Sequence, residues 1–172
     1  MKLEIHPLAP FLPPNAEYLF LGSFPPKRER WSMEFFYPNF QNDMWRIFGL
    51  IFFDDKNYFV DTKNKCFKKE EIEAFLIERK IAIYDAAKTV IRHKDNASDK
   101  DLEIIEAVDI QEFIRKLPDL RNIIVTGQKA ADIIIEQFAE KNILISPPLV
   151  GKYSEFVFEN RNLRLSRMPS SA

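Results

Sequence analysis

The residues of this 172-residue chain that could do chemistry stand mainly in short loops that follow apolar runs. These loops cover residues 22–26, 85, 126–129 and 167–171, and they carry prolines, serines, aromatic rings and amides. Serine hydroxyls and backbone N–H groups can hold phosphate oxygens, and flat rings such as Phe24, Phe36 and Tyr37 can stack on a nucleobase. The set is poorly suited to proton transfer. It favours a site that holds a nucleotide turned out of a duplex.

Several common catalytic and binding motifs are missing from the sequence. The two histidines, His6 and His93, stand far apart, and we expect His6 at the surface or in a turn. Cys66 lies in a polar, lysine-rich stretch with neither a histidine partner nor a helix N-terminus to activate its thiol. Glycine-rich dinucleotide and phosphate-binding loops are also missing. We therefore expect no metal ion and no cofactor.

Composition and charge are those of an ordinary globular chain. Apolar residues make up 46% and charged residues 30%, and the net charge is −1 from 25 basic and 26 acidic residues. A nucleic-acid partner must therefore be held by a local basic patch. No apolar run approaches the roughly 20 residues of a membrane helix, no secretory signal is evident, and a single cysteine fits a reducing compartment. We expect a monomer that works in the cytoplasm, with the nucleoid if the source is bacterial, and that does not bind a membrane.

Apolar strands alternate with amphipathic helices along the chain. Short apolar runs predict strands at 18–22, 81–85 and 122–127 and a hairpin over 156–165. Helices are predicted at 69–80, at 109–117, at 129–141 and from Asn42, which is the expected N-cap of the first. Residues 97–101 are polar and are predicted to form a loop. This alternation is typical of an α/β protein, a three-layer α/β/α sandwich with a mostly parallel central sheet. Ligands bind such sheets beyond the carboxyl ends of the strands.

Two segments resemble the first motif of the uracil-DNA glycosylase superfamily. They are residues 19–25 (LFLGSFP) and 36–45 (FYPNFQNDMW). The nearest pattern is that of the hypoxanthine-DNA glycosylase group, which is related to the mismatch-specific uracil/thymine glycosylases. Three more segments match in the same order: 81–85 (IAIYD), 125–130 (VTGQKA) and 168–171 (MPSS). The resemblance implies a single domain, residues 1–172, that hydrolyses the N-glycosidic bond of hypoxanthine or uracil in DNA during base-excision repair, without a cofactor.

The chain departs from the family pattern in two places. The family's His-Pro-Arg-Asn stretch is replaced by residues 39–42, of which only Asn42 matches. The chain also stops at Ala172, where the family continues into a last helix, so we expect either a truncated DNA-reading loop or a shortened chain. The early stop at Ala172 and the loss of the usual acid or amide of the first motif, at Phe24, favour one alternative, a non-catalytic member that binds DNA or nucleotides. A third hypothesis is an unrelated doubly wound domain that acts in protein interaction.

The resemblance also implies roles for individual residues. Asn42 is the implied positioner of the attacking water, because Phe24 occupies the place where many relatives hold an acid or an amide. The alternative for Asn42 is a plain helix cap. The implied base pocket contains Gly22, Ser23, Phe24, Tyr37 and Asp85. The alternatives are core packing for the two aromatic residues and a helix cap for Asp85.

DNA contacts are implied for the loops on either side of this pocket. They involve Pro25, Pro26, Lys27, Arg28, Arg167, Pro169, Ser170 and Ser171. Arg164 would add positive charge to the same surface. The alternative is that these charges form only a solvated face.

Overall fold

The computed structural model describes residues 2–94 and 99–172. The strands are β1 (Leu3–Ile5), β2 (Tyr18–Gly22), β3 (Val60–Asp61), β4 (Cys66–Phe67), β5 (Ile81–Asp85), β6 (Ala87–Arg92), β7 (Leu102–Ala107), β8 (Asn122–Thr126), β9 (Tyr153–Phe158) and β10 (Arg161–Met168). The helices are α1 (Met44–Phe53), α2 (Lys69–Glu78), α3 (Ile110–Lys116) and α4 (Gln128–Glu140).

The central sheet has five strands in the order β5-β2-β8-β10-β9. The first four are parallel to one another, and β9 pairs antiparallel with β10 through a hairpin. β5 is buried at every position, as its uninterrupted apolar run predicts for a strand covered on both sides. The prediction of a mixed α/β fold with a mostly parallel sheet is confirmed.

Aromatic side chains join the helices to the central sheet. Phe48 of α1 packs edge-on against Phe20 of β2, with ring centroids 5.3 Å apart. On the two edge strands of the sheet, Tyr84 of β5 contacts Phe113 of α3 at 5.9 Å, and Phe156 of β9 contacts Phe138 of α4 at 4.8 Å. Rings of this size bury large apolar areas, so these contacts fix the helices on the strands that end at the rim of the sheet.

A second, antiparallel sheet with the order β1-β6-β7 was not predicted. Most residues of β7 are exposed or only partly buried. A strand in this environment does not need the continuous apolar run of the central strands, and the sequence therefore gave no signal for it. The predicted loop at 97–101 falls here. Residues 97 and 98 lie outside the described part of the chain, and Asp99–Asp101 form one 3₁₀ turn. This second sheet matters for the site because it brings β1, and with it the residue that follows, His6, to the end of β5.

The predicted helix starts and the hairpin can be compared directly with the structure. Helix α1 begins at Met44 with Asp43 as its N-cap, so the expectation that Asn42 is the N-cap is off by one residue. Helix α3 has the predicted cap, Asp109, whose side chain accepts a hydrogen bond from the Glu112 N–H at 3.2 Å. The hairpin turns through Glu159 and Asn160, both at positive φ as two-residue hairpin turns require.

Within residues 2–94 and 99–172, none of the helices combines the length and the apolar character needed to cross a membrane.

Candidate functional site

The carboxyl ends of β2, β5, β8 and β10 meet at a cleft of about 270 Å³. Ten of the residues expected from the sequence line it, namely Gly22, Ser23, Phe24, Pro25, Pro26, Tyr37, Asn42, Asp85, Ser170 and Ser171. Sequence reasoning missed Thr126, Arg92 and Asp99 in the same wall. Thr126 could have been included, since it ends the third predicted strand. Arg92 and Asp99 belong to the second sheet and its connection, which no sequence pattern indicated.

Gly22 ends β2 where two polar side chains approach its backbone. A Cβ on this residue would lie 2.7 Å from Asp85 Oδ1 and 3.0 Å from the Tyr37 hydroxyl. Real Cβ atoms do not come this close to other atoms, so only glycine leaves room for both groups. The glycine therefore allows the Asp85 carboxylate and the Tyr37 ring to share the floor of the cleft.

Tyr37 has an unusual backbone and an anchored hydroxyl. Its φ is 49°, in the left-handed region, and its hydroxyl lies 2.6 Å from Thr126 Oγ1. Burial, and secondarily the charge of Asp85, raise the pKa of the Tyr37 hydroxyl, which therefore stays protonated. Tyr37 and Phe24 are both half-buried and line the cleft, so neither is a plain core residue.

His6 is buried, and the expectation of a surface position is wrong. Its Nε2 lies 2.7 Å from Asp85 Oδ2, and its side chain is fully shielded from solvent. Its Nδ1 accepts a hydrogen bond from the Leu8 N–H at 3.1 Å. This local contact fits the other part of the expectation, a position in a turn. The isolated histidine gave no signal in the sequence because its partner is 79 residues away. Asp85 does not cap a helix, since the next element is β6.

A second carboxyl group, that of Asp99, also faces the cleft. The Ser23 hydroxyl donates a hydrogen bond to Asp99 Oδ1 at 2.5 Å. Burial, opposed by this hydrogen bond, raises the pKa of Asp99, and the charge of Asp85 adds to the increase. The part of the cleft that contains Asp85 and Asp99 is therefore rich in acceptor oxygens.

Asn42 is tied down through its side-chain oxygen. Oδ1 accepts hydrogen bonds from the Met44 N–H at 2.9 Å and from the Ser171 hydroxyl at 2.8 Å. The Asp43 N–H also donates to the Ser171 carbonyl at 3.0 Å, so the segment after β10 is attached to the start of α1. Both lone-pair positions of Oδ1 are used, and Nδ2 is the polar atom of this amide with no partner among the described residues.

None of the three expected DNA-binding cations, Lys27, Arg28 and Arg167, lines the cleft, and Pro169 does not line it either. The Arg28 guanidinium pairs with Glu34 and lies 4.4 Å over the Trp31 ring, and the buried Arg167 Nε has no hydrogen-bond partner among the described residues.

Arg164 is wrongly placed by the sequence argument. It lies opposite Asn122, the first residue of β8, whereas the cleft lies beyond Thr126 at the other end of that strand. Arg164 stands four positions before Met168, which ends β10 at the rim, and the sequence spacing alone did not show which end of the sheet Arg164 occupies. Arg92, which was not predicted, stabilises the wall of the cleft. It binds Glu4 at 2.9 and 3.2 Å and donates a hydrogen bond to the Pro25 carbonyl at 2.9 Å.

The described residues contain no group of three His, Cys, Asp or Glu side chains that could hold a metal ion. The polar groups at the cleft are the carboxylates of Asp85 and Asp99, the amide of Asn42 and the hydroxyls of Thr126 and Ser171. Such groups can accept and donate hydrogen bonds to a flat polar ring held against Phe24 or Tyr37.

One solved structure shares the fold over almost the whole chain. It is the solution NMR structure of a "putative Uracil DNA glycosylase" from Methanosarcina acetivorans. The two sequences are 22% identical, the match covers 95% of this chain and 83% of that one, and the TM-score is 0.59. No protein-family model matches this sequence, and no curated protein matches it either. At this level of identity the likeness shows the fold.

Proposed function

We propose that this protein is a DNA glycosylase of the uracil-DNA glycosylase superfamily, closest to its hypoxanthine-DNA glycosylase group. It hydrolyses the N-glycosidic bond of hypoxanthine or uracil in DNA as part of base-excision repair. One observation carries the proposal: four of the five motif-like segments, all but 125–130, together contribute nine of the expected site residues to one cleft. Thr126, from that remaining segment, lines it as well.

The proposed architecture is a single domain with three layers. α1 contacts β2 through Phe20, whereas α3 and α4 contact Tyr84 and Phe156. Tyr84 pairs in register with Leu21, the neighbour of Phe20, and adjacent strand residues point to opposite faces of a sheet. These contacts favour helices on both faces. A monomer in the cytoplasm or on the nucleoid would suit this architecture and function.

The cleft suits one extruded base. Phe24 and Tyr37 provide the flat walls on which the base stacks, and Asp85 provides an acceptor for the N–H of its pairing edge. Hypoxanthine offers N1–H and uracil N3–H at that edge. Gly22 keeps space for this contact, because a larger residue would displace Asp85 Oδ1.

Asn42 is the proposed catalytic residue. Loss of a base through a loose displacement needs a positioned water and hydrogen-bond donors more than a strong base. Because Asn42 Oδ1 already accepts two hydrogen bonds, the amide can bind a water by donating from Nδ2. The Ser171 hydroxyl donates its hydrogen bond to Asn42 Oδ1, so the Ser171 oxygen can accept a hydrogen bond from the same water.

The loops beside the cleft are the proposed DNA-binding surface. Pro25 and Pro26 form one side, and Ser170 and Ser171 form the other. Arg92 stiffens the first side by binding the Pro25 carbonyl. Lys27, Arg28, Arg167 and Pro169 lie farther out, where a phosphate backbone would pass over a base that enters the cleft.

A non-catalytic DNA- or nucleotide-binding protein is the second candidate, favoured by the saturated Oδ1 of Asn42. An incubation with duplexes carrying one hypoxanthine or one uracil separates the two. Abasic sites, with none in the undamaged duplex, support the glycosylase. A gel shift without abasic sites supports the binding protein, and the absence of both contradicts each candidate.

A further inference from the structure

The His6–Asp85 pair is a buried contact between the N-terminal segment and the end of β5. His6 Nε2 and Asp85 Oδ2 are 2.7 Å apart. The imidazole ring is held by Tyr84, whose ring centroid is 4.4 Å away, and by the edge of Phe24 at 5.4 Å. The ring of Phe36, 6.0 Å away, also contacts the imidazole, so three rings and full burial restrict its orientation.

The hydrogen bonds of His6 determine which of its nitrogens carries the proton. Nδ1 accepts the Leu8 N–H at 3.1 Å, so it has a lone pair and no hydrogen. Nε2 is therefore the protonated nitrogen, and it donates to Asp85 Oδ2. Asp85 Oδ2 is therefore the acceptor of this hydrogen bond.

The other oxygen of Asp85 lies beside Gly22, which also lines the cleft. Oδ1 lies 2.7 Å from the place that a Cβ would take on Gly22, and Asp85 is among the lining residues. His6 thus occupies one oxygen of the carboxylate from behind and leaves the other for a base.

We propose that His6 is a positioning residue that holds Asp85 as an acceptor, so that the cleft distinguishes a deaminated base from its parent. This inference rests on the proposed glycosylase function. Deamination converts N1 of adenine from an acceptor into the N1–H of hypoxanthine, and N3 of cytosine into the N3–H of uracil. A fixed carboxylate binds the N–H of either product and repels the lone pair of either parent. Guanine and thymine carry the same N–H, so this contact does not reject them.

Two substitutions separate this role from simple attachment of the N-terminal segment. His6→Gln places an N–H near the position of Nε2 and keeps the contact with Asp85. His6→Asn places its amide near the position of Nδ1, so it keeps an acceptor for the Leu8 N–H and loses the contact with Asp85. The probes are duplexes with one 2′-fluoro hypoxanthine or one 2′-fluoro adenine nucleotide, in which the N-glycosidic bond is resistant to cleavage.

The measured quantity is the ratio of the two dissociation constants, adenine over hypoxanthine. The wild-type protein and His6→Gln should keep a high ratio. His6→Asn should lower it by about 10- to 100-fold, the value of one hydrogen bond to a charged group. A purely structural role predicts the same ratio in both variants.

An unchanged ratio in folded His6→Asn would overturn the inference. If neither His6 variant folds, Asp85→Asn replaces them, because its amide can donate to adenine N1, and an unchanged ratio there overturns the inference equally. A wild-type protein that excises hypoxanthine but shows no preference in binding would overturn the inference and leave the proposed function intact. A wild-type protein that neither excises nor prefers any lesion contradicts the proposed function itself.

Discussion

The oxygen and the nitrogen of the Asn42 amide have different roles. Its oxygen joins the start of α1 to the segment after β10 through the Met44 N–H and the Ser171 hydroxyl, while Nδ2 remains to hold a water. The residue is thus both a local structural anchor and the proposed catalytic group, and a substitution can affect either role. The hydrogen bonds that Oδ1 accepts contribute to stability, and the hydrogen bond that Nδ2 donates to water contributes to excision.

Asn42→Ala should lower the rate of excision by roughly 10²–10³-fold, the usual cost of one lost transition-state contact. It should also lower the free energy of unfolding by ~0.5–2 kcal/mol, because the contact at the start of α1 is lost. Asn42→Asp should keep the fold, since one carboxylate oxygen can replace Oδ1. It should keep only part of the activity, since the Nδ2 donor is lost and the other oxygen can hold the water only by accepting its hydrogen. Single-turnover rates must be compared at equal folded fraction. A folded Asn42→Ala within a few-fold of wild type would mean that Asn42 is only structural.

Tyr37→Ala should weaken binding to lesion-containing duplex by about 1–3 kcal/mol, the value of one base–aromatic stack. Tyr37→Phe is the matched control, because it keeps the ring and loses only the hydrogen bond to Thr126. Both variants keep the left-handed backbone at this position and its strain. Fluorescence titration with a fixed lesion gives the two affinities. Equal losses in both variants would contradict stacking and assign the effect to the hydroxyl.

At the scale of the elements, the end of β2 determines the shape of the cleft. Gly22→Ala should displace Asp85 Oδ1, because the new Cβ would lie 2.7 Å from that atom. We expect a loss of about 1–3 kcal/mol in stability from overpacking. Excision should fall by roughly 10²-fold, the typical cost of a 1 Å misplacement.

Gly151→Ala is the control for Gly22→Ala. Gly151 has a φ of 79°, no atom lies within 4 Å of its Cβ position, and it is not part of the cleft. It should lose stability through backbone strain and retain the excision rate. Thermal unfolding and single-turnover rates on the same samples separate the two effects. Parallel losses of activity in both variants would contradict the special role of Gly22.

β2, β5 and β8 could be predicted from the sequence because each is a short apolar run that ends at the rim. β2 and β5 lie where the pattern placed them, and the chemistry-bearing loops follow directly. The second sheet could not be predicted, because its strands pair through the backbone and carry few continuous apolar residues. The contacts of His6, Arg92 and Asp99 depend on that sheet and on pairings across 67 to 88 positions. The spacing of residues in one sequence contains no information about such pairings.

At the scale of the whole molecule, a net charge of −1 leaves little general attraction for DNA. Affinity should therefore depend on a few local phosphate contacts. The logarithm of the binding constant should fall with the logarithm of salt concentration with a slope of roughly −2 to −4, at about −0.9 for each phosphate neutralised.

Lys27→Gln and Arg28→Gln should each reduce the magnitude of that slope by about 1. Arg164→Gln is the control, because Arg164 lies at the opposite end of the sheet from the cleft. Fluorescence anisotropy across a salt series gives the slopes. A flat response in the wild-type protein, or an equal change in Arg164→Gln, would contradict a DNA-binding surface beside the cleft.

The central claim is that the cleft holds an extruded deaminated base and that the protein breaks its N-glycosidic bond. The most direct measurement is the release of free base from a duplex with one hypoxanthine or one uracil, with protein in excess over DNA. The account predicts free base from at least one of these duplexes, a DNA backbone that stays intact until it is heated in alkali, and no release from the matched undamaged duplex. The absence of free base from both lesion duplexes, with folded protein bound to them, would contradict the account.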